Sequence, residues 1–271
     1  MFPGLPPTAP NTKGIGAAIA GAFLSAGAEV LVCGRNEPSE LPAAGGRTAH
    51  FRSADVRDPA TSAALVDAAV QRYGRLDVLV NNAGGSPDAD AATVSPRFVE
   101  KVAALHLLAP FHVAQAANRV MQRQDSGGSV INIGSVSAHT PQPGTAAQSA
   151  AKAGLPALTR ALALEWAPKV RVNHITTGLI RIESAASVYG EDGGAAVADV
   201  IAMRRMAVPD DVARARLYLA GDLAAYVNGA DLAVHGGEVP ARFLAAKGRQ
   251  REGLRGGPER AMVCSIWRHR R

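Results

Sequence analysis

Cysteine is nearly missing from this 271-residue chain, which has only Cys33 and Cys264. Two are too few for a disulfide framework or a cysteine-built metal site, and such scarcity suits a reducing cytosol. The seven histidines are scattered, and none stands at ligand spacing from a cysteine or carboxylate, so no metal is expected. No run of about 18 apolar residues occurs. The opening MFPGLPPTAPNTK lacks the basic start and apolar stretch of a secretion signal. A soluble, cytoplasmic protein without membrane contact is expected, and no internal repeat is visible.

Net charge is also missing from most of the chain. Residues 247–271 carry eight Lys/Arg against two Glu, which accounts for the whole net charge of +6 and leaves residues 1–246 neutral. A basic tail of this kind suits nucleic acid or an acidic membrane surface. This one has no folded reading module and a single aromatic, Trp267. No nucleic-acid partner is therefore expected, and the tail is read as a solvated, disordered extension.

What is present is a large apolar fraction, 47%, with 19% charged residues and abundant Gly and Ala, enough for one sizeable α/β domain. Short runs carrying β-branched residues lie at 28–34, 47–56, 76–84, 128–136, 170–176 and 230–237. Amphipathic stretches of helix length lie between them, at 14–27, 59–73, 95–123, 145–167 and 209–220. Strands alternating with crossover helices imply a parallel sheet covered on both faces, a doubly wound, Rossmann-type α/β fold in a single domain. The chain divides into an irregular start over 1–10, the dinucleotide-binding and catalytic domain over 11–246, and the tail over 247–271.

In such folds a ligand lies beyond the carboxyl ends of the strands. Gly14-Ile15-Gly16 precedes a good helix, so backbone there can approach a pyrophosphate at a helix N-terminus. Two spaced glycines are also an ordinary turn and cap. Asn81-Asn82-Ala83-Gly84-Gly85 at the end of one apolar strand and Ser135 at the end of the next add weight.

Together these pieces resemble the short-chain dehydrogenase/reductase family over roughly residues 11–245. The segments that carry the resemblance are TKGIGAAIAGAFLSAGAEVLVCGR, ADVRD, LDVLVNNAG, GSVINIGSVSA, AAKAGLPALTRALALEWAPKVRVNHI and YVNGADLAVHGG. The resemblance implies an NAD(P)(H)-dependent oxidoreductase interconverting an alcohol and a ketone. It also implies a homodimer or homotetramer packed through the two long helices. Lys13, Gly14, Ile15 and Gly16 would form the cofactor loop, Asp55 with Val56 would meet the adenine, and Asn82, Ala83 and Gly84 would back the ribose. Lys152 would hold the nicotinamide ribose, and Gly178 and Ile180 would complete the set. Arg35, at the end of the second strand where an NAD-specific member carries an acid, suits a 2′-phosphate, so NADP(H) is favoured over NAD(H). Asp55 also reads as a turn cap, and Arg35 and Lys13 also read as plain exposed charges.

The family's proton exchange uses a Ser…Tyr-x-x-x-Lys layout with an asparagine on the preceding long helix. Ser135 and Lys152 fill two of these places. Gln148 stands for the tyrosine and His106 for the asparagine. An amide has no titratable proton near neutral pH, so Gln148 can hydrogen-bond a carbonyl but cannot protonate an alkoxide. His106 and His139 are candidate replacement donors, or else ordinary polar histidines. Upstream, Ala9 and Pro10 align with the threonine and first glycine of T-G-x-x-x-G-x-G. Proline is excluded from central strands, so the first strand is expected to be poorly formed. Thr177 replaces a proline and Ile182 a threonine, and the loop from Ile180 to about Met206 reads as a mobile substrate lid. Three readings stay open: an impaired oxidoreductase, a catalytically inactive relative acting as a binding or subunit partner, and a damaged gene product.

Overall fold

The computed structural model describes residues 14–182, 194–237 and 264–268. Helix α1, Ile15–Ser25, leads into strand β1, Glu29–Gly34. A ribbon of β2 (Ala43–Ala44) with β3 (Arg47–Thr48) follows, then β4 (His50–Ser53), so the strand expected over 47–56 is split in two. Helix α2 takes its predicted bounds, Pro59–Tyr73, because both ends are written in the sequence. Asp58 accepts from the N–H groups of Ala60 and Thr61, Pro59 sits where no donor is needed, and Gly74 closes the helix at φ 76°.

Strand β5, Val78–Asn81, is buried throughout, as a central parallel strand must be. The helix expected over 95–123 is interrupted. It comes as α3 (Pro96–Ala103), a widened π turn (Ala104–Leu108) and α4 (Ala109–Met121). Pro110 offers no N–H to the His106 carbonyl and its ring crowds that group, so the extra residue in the turn absorbs the misfit and seats His106 there. Then come β6 (Gly128–Ile133), α5 (Ala146–Trp166), β7 (Val170–Thr177), α6 (Ala195–Val200), α7 (Pro209–Ala220), β8 (Asp231–Val234) and β9 (Cys264–Arg268).

The main sheet has the order β4-β1-β9-β5-β6-β7-β8. Six of its strands run parallel, and β9 runs against both neighbours, with Ile266 opposite Leu31 on one side and Leu79 on the other. This is the Rossmann-type fold expected, with a correction at its centre. Disorder over 247–271 fails for Cys264–Arg268, which supplies the strand between β1 and β5. That slot is the one the resemblance reserves for the family's first strand. Residues 1–10, expected to fill it poorly, lie outside the described residues. Composition hides β9 because its strand-favouring Ile266 and Trp267 are embedded in a charged, glycine-rich tract. Two open strand edges give the segment partners on both sides.

Helices α2, α4 and α5 cover one face over Leu65, Val113, Met121 and Trp166, and α1 and α7 cover the other over Ile19, Phe23, Val212 and Leu219. The parallel strands therefore end together at one edge, at Gly34, Asn81, Ile133 and Thr177. Among the described residues no helix is long and apolar enough to cross a membrane.

Candidate active site

Ser135 leaves β6 and caps the short 3-10 turn Val136–Ala138, its Oγ accepting from the Ser137 N–H at 3.2 Å. Its own hydroxyl proton thus remains for another acceptor. Helix α5 packs on that turn, and from it Lys152 reaches back so that its buried Nζ donates to the carbonyl of Ile133, the last residue of β6. Gln148, one turn earlier, lines a mostly apolar cavity of about 210 Å³ with Ser86, Val94, Phe98, Gly144 and Ala147. Ser135 and Lys152 thus lie at the carboxyl end of β6, and Gln148 stands one turn before Lys152 on the same helix. Burial, reinforced by the Arg216 guanidinium, pushes Lys152 down to about 8, which leaves it an ammonium at neutral pH.

His106 sits 1% exposed in the π turn, with Nε2 3.3 Å from the Gly85 carbonyl and Nδ1 without a partner. Burial, and behind it the Lys152 charge, pushes its pKa down to about 3. A ring held neutral in this way has no imidazolium proton to give, which argues against it as the replacement acid. His139 is exposed, with Nε2 3.9 Å from the Asp231 carboxylate.

On the cofactor side, Gly14 stands at the N-terminus of α1 with φ 108°, and a Cβ built there would meet nothing within 4 Å. Ile15 and Gly16 lie inside the first helical turn. No side chain among the described residues caps this end and no acid lies in its first turn, so its amides face the edge without a fixed anion. Lys13 lies outside the described residues. Arg35 follows β1 directly, and its carbonyl accepts from Ser53 Oγ at 3.0 Å. The Asp55 carboxylate accepts from the Arg57 N–H and Nε, and Arg57 holds it below the usual carboxylate range. The turn-cap geometry read from ADVRD is thus present beside the expected adenine contact. Val56 is buried, and Asn82, Ala83 and Gly84 follow β5. Next to them Asn81 Nδ2 donates to the Pro110 carbonyl at 3.1 Å and to Asn132 Oδ1 at 2.9 Å, and Asn132 Nδ2 donates to Thr159 Oγ1 at 2.9 Å. Gly178 follows β7, and Ile180 bridges to Ala207 at the base of the expected lid. Residues 183–193 of that lid lie outside the described residues.

The sequence reading passed over Arg216. It is 0% exposed and lies on the core-facing stripe of α7 with Val212, Ala213 and Leu219. One guanidinium amino group stands 3.5 Å from Asn82 Oδ1, while Nε and Nη1 have no partner. Burial disfavours its charged form, yet a guanidinium does not deprotonate in proteins. A charge at a position where helical periodicity demands an apolar residue was the available signal.

A helix N-terminus that no described side chain caps, a glycine that admits close approach and a buried cation with two unpartnered nitrogens fit the phosphates of a dinucleotide. The comparisons point the same way. Residues 9–238 match the family model described as enoyl-(acyl carrier protein) reductase. An uncharacterised oxidoreductase of Mycobacterium tuberculosis is 38% identical over 83% of this chain and 88% of its own length. D-threitol dehydrogenase of Mycolicibacterium smegmatis is 36% identical over 83% and 88%. A crystal structure described as a short-chain alcohol dehydrogenase from Sinorhizobium meliloti superposes with a TM-score of 0.75 at 32% identity, covering 83% of this chain and 92% of that one. The chain belongs to the short-chain dehydrogenase/reductase family of oxidoreductases. Membership implies a nicotinamide dinucleotide as cofactor.

Proposed function

We propose that this chain is a dinucleotide-binding short-chain oxidoreductase for a small alcohol or ketone, slowed at the proton-exchange step and preferring NADP(H) to NAD(H). The observation that carries the reading is Gln148 at the cavity, one helical turn from the buried Lys152 ammonium. When bound, the cofactor supplies or accepts the hydride. Ser135 Oγ and the Gln148 amide can both donate to a carbonyl oxygen and orient it. Neither holds a proton that titrates near neutrality, and His106 is neutral. Lys152 helps hold the nicotinamide ribose and keeps positive charge at the edge. Arg35 at the end of β1, where no acid stands to meet a ribose 2′-hydroxyl, supports the phosphorylated cofactor. Leu108 and Leu164, exposed at 48% and 84% near and on the helices through which relatives pack, support a homo-oligomer.

Fluorescence titration should give tighter binding of NADPH than of NADH. In the double variant Gln148→Tyr with His106→Asn, reduction across a panel of ketones should rise by about 10²–10⁴-fold, the usual contribution of a placed acid. Cofactor binding with no such gain would favour the second reading, a non-catalytic binding relative, which the inward-turned Lys152 also suits.

A further inference from the structure

Proton exchange has no use for Arg216, and packing alone does not explain it. The buried set among the described residues contains two cations, Lys152 and Arg216, and no aspartate or glutamate. Lys152 has the Ile133 carbonyl. Arg216 has one long contact to Asn82 and two nitrogens with nothing. A guanidinium taken out of water without an acceptor is disfavoured, so the arrangement becomes more favourable when a group with several oxygen acceptors enters beside it. Asn82 marks where that group would sit, at the carboxyl end of β5. Helix α7, which carries Arg216, packs along α1, whose N-terminal amides open at that same edge.

We propose that Arg216 is an anion anchor of the crevice, donating from Nε and Nη1 to a phosphate oxygen of the bound ligand. A planar fork of donors matches phosphate oxygens better than a point charge does. The inference rests on the dinucleotide reading only for what carries the phosphate.

The test uses the full chain, with inorganic pyrophosphate and NADPH as separate probes. Calorimetric titration is run on the wild type, Arg216→Met, Arg216→Lys and, as a control for lost surface charge, Arg214→Met on the exposed side of the same helix. Arg216→Met should weaken pyrophosphate binding at least tenfold while Arg214→Met leaves it within about twofold. Without ligand, Arg216→Met should melt at or above the wild-type temperature, because it removes a charge with no partner. If Arg216→Met does not fold, Arg216→Lys decides, with binding expected about three- to tenfold weaker and undiminished binding overturning the proposal. Pyrophosphate affinity unchanged in Arg216→Met, or no pyrophosphate binding by the wild type, also overturns it. Pyrophosphate binding that depends on Arg216 in a protein that ignores NADPH would leave the anchor standing and remove the cofactor reading. Equal NADPH affinity in wild type and Arg216→Met would keep the cofactor and remove the anchor.

Discussion

Two buried polar groups lie on opposite sides of the same sheet edge, and they are finished to different degrees. The chain from Asn81 through Asn132 to Thr159 is closed, since Asn81 bonds the Pro110 carbonyl, Asn132 bonds both neighbours and Thr159 donates to the Leu155 carbonyl. Across β5, Arg216 holds a charge with one long contact. A completed network fixes strands and helices relative to one another and asks for nothing further. An incomplete one stores unspent hydrogen-bonding capacity, which is how a binding surface differs from a structural brace. The first group lies on the face covered by α4 and α5, the second on the face covered by α1 and α7.

The largest effect expected from breaking this contrast comes from ending the chain at residue 263. Removing β9 opens the facing edges of β1 and β5 along two ladders. With each backbone bond worth about 0.5–1.5 kcal/mol net, the loss should reach on the order of 5 kcal/mol, comparable to a domain's whole stability. Urea unfolding should show a much lower midpoint or no cooperative transition, and an unchanged midpoint would show that β9 contributes nothing to the sheet.

His106 gives the next test. Its folded pKa near 3 lies below its unfolded value near 6.5, so its contribution is complete above pH 6.5 and fades as pH falls toward 3. That amounts to about 5 kcal/mol across the window. His106→Asn should flatten the acid limb of a stability–pH curve, and an equally steep limb in the variant would assign it to other groups. The smallest effect belongs to the closed network. Asn132→Ala strips one acceptor from Asn81 and one donor from Thr159, which keep Pro110 and Leu155, so a loss of about 1–3 kcal/mol is expected in the same assay.

How much was legible follows the same division. Helices α2 and α7 were readable to the residue because each starts with a proline at the first position and ends at a glycine. The positions of Ser135 at a strand end and of Gln148 one turn before Lys152 were readable because a strand terminus and a four-residue helical spacing are local features. The split at the π turn was hidden because Pro110 leaves the apolar period intact while breaking the backbone ladder. Strand β9 was hidden because its partners are remote in sequence and its surroundings are basic. Arg216 broke a visible pattern, but a single charge inside PDDVARARLYLA reads as surface until the helix is docked.

The middle of the sheet also imposes an order of assembly. Leu79 pairs with Ile266 in register, so the strand that joins the two sides of the sheet comes after every other described strand in the chain. Until residues 264–268 leave the ribosome and thread back, β4 with β1 and β5 through β8 stand as separate open-edged sheets, exposed to mispairing. Closing so long a loop is slow. Completion of this crevice therefore waits on a segment far along the chain from the strands it joins.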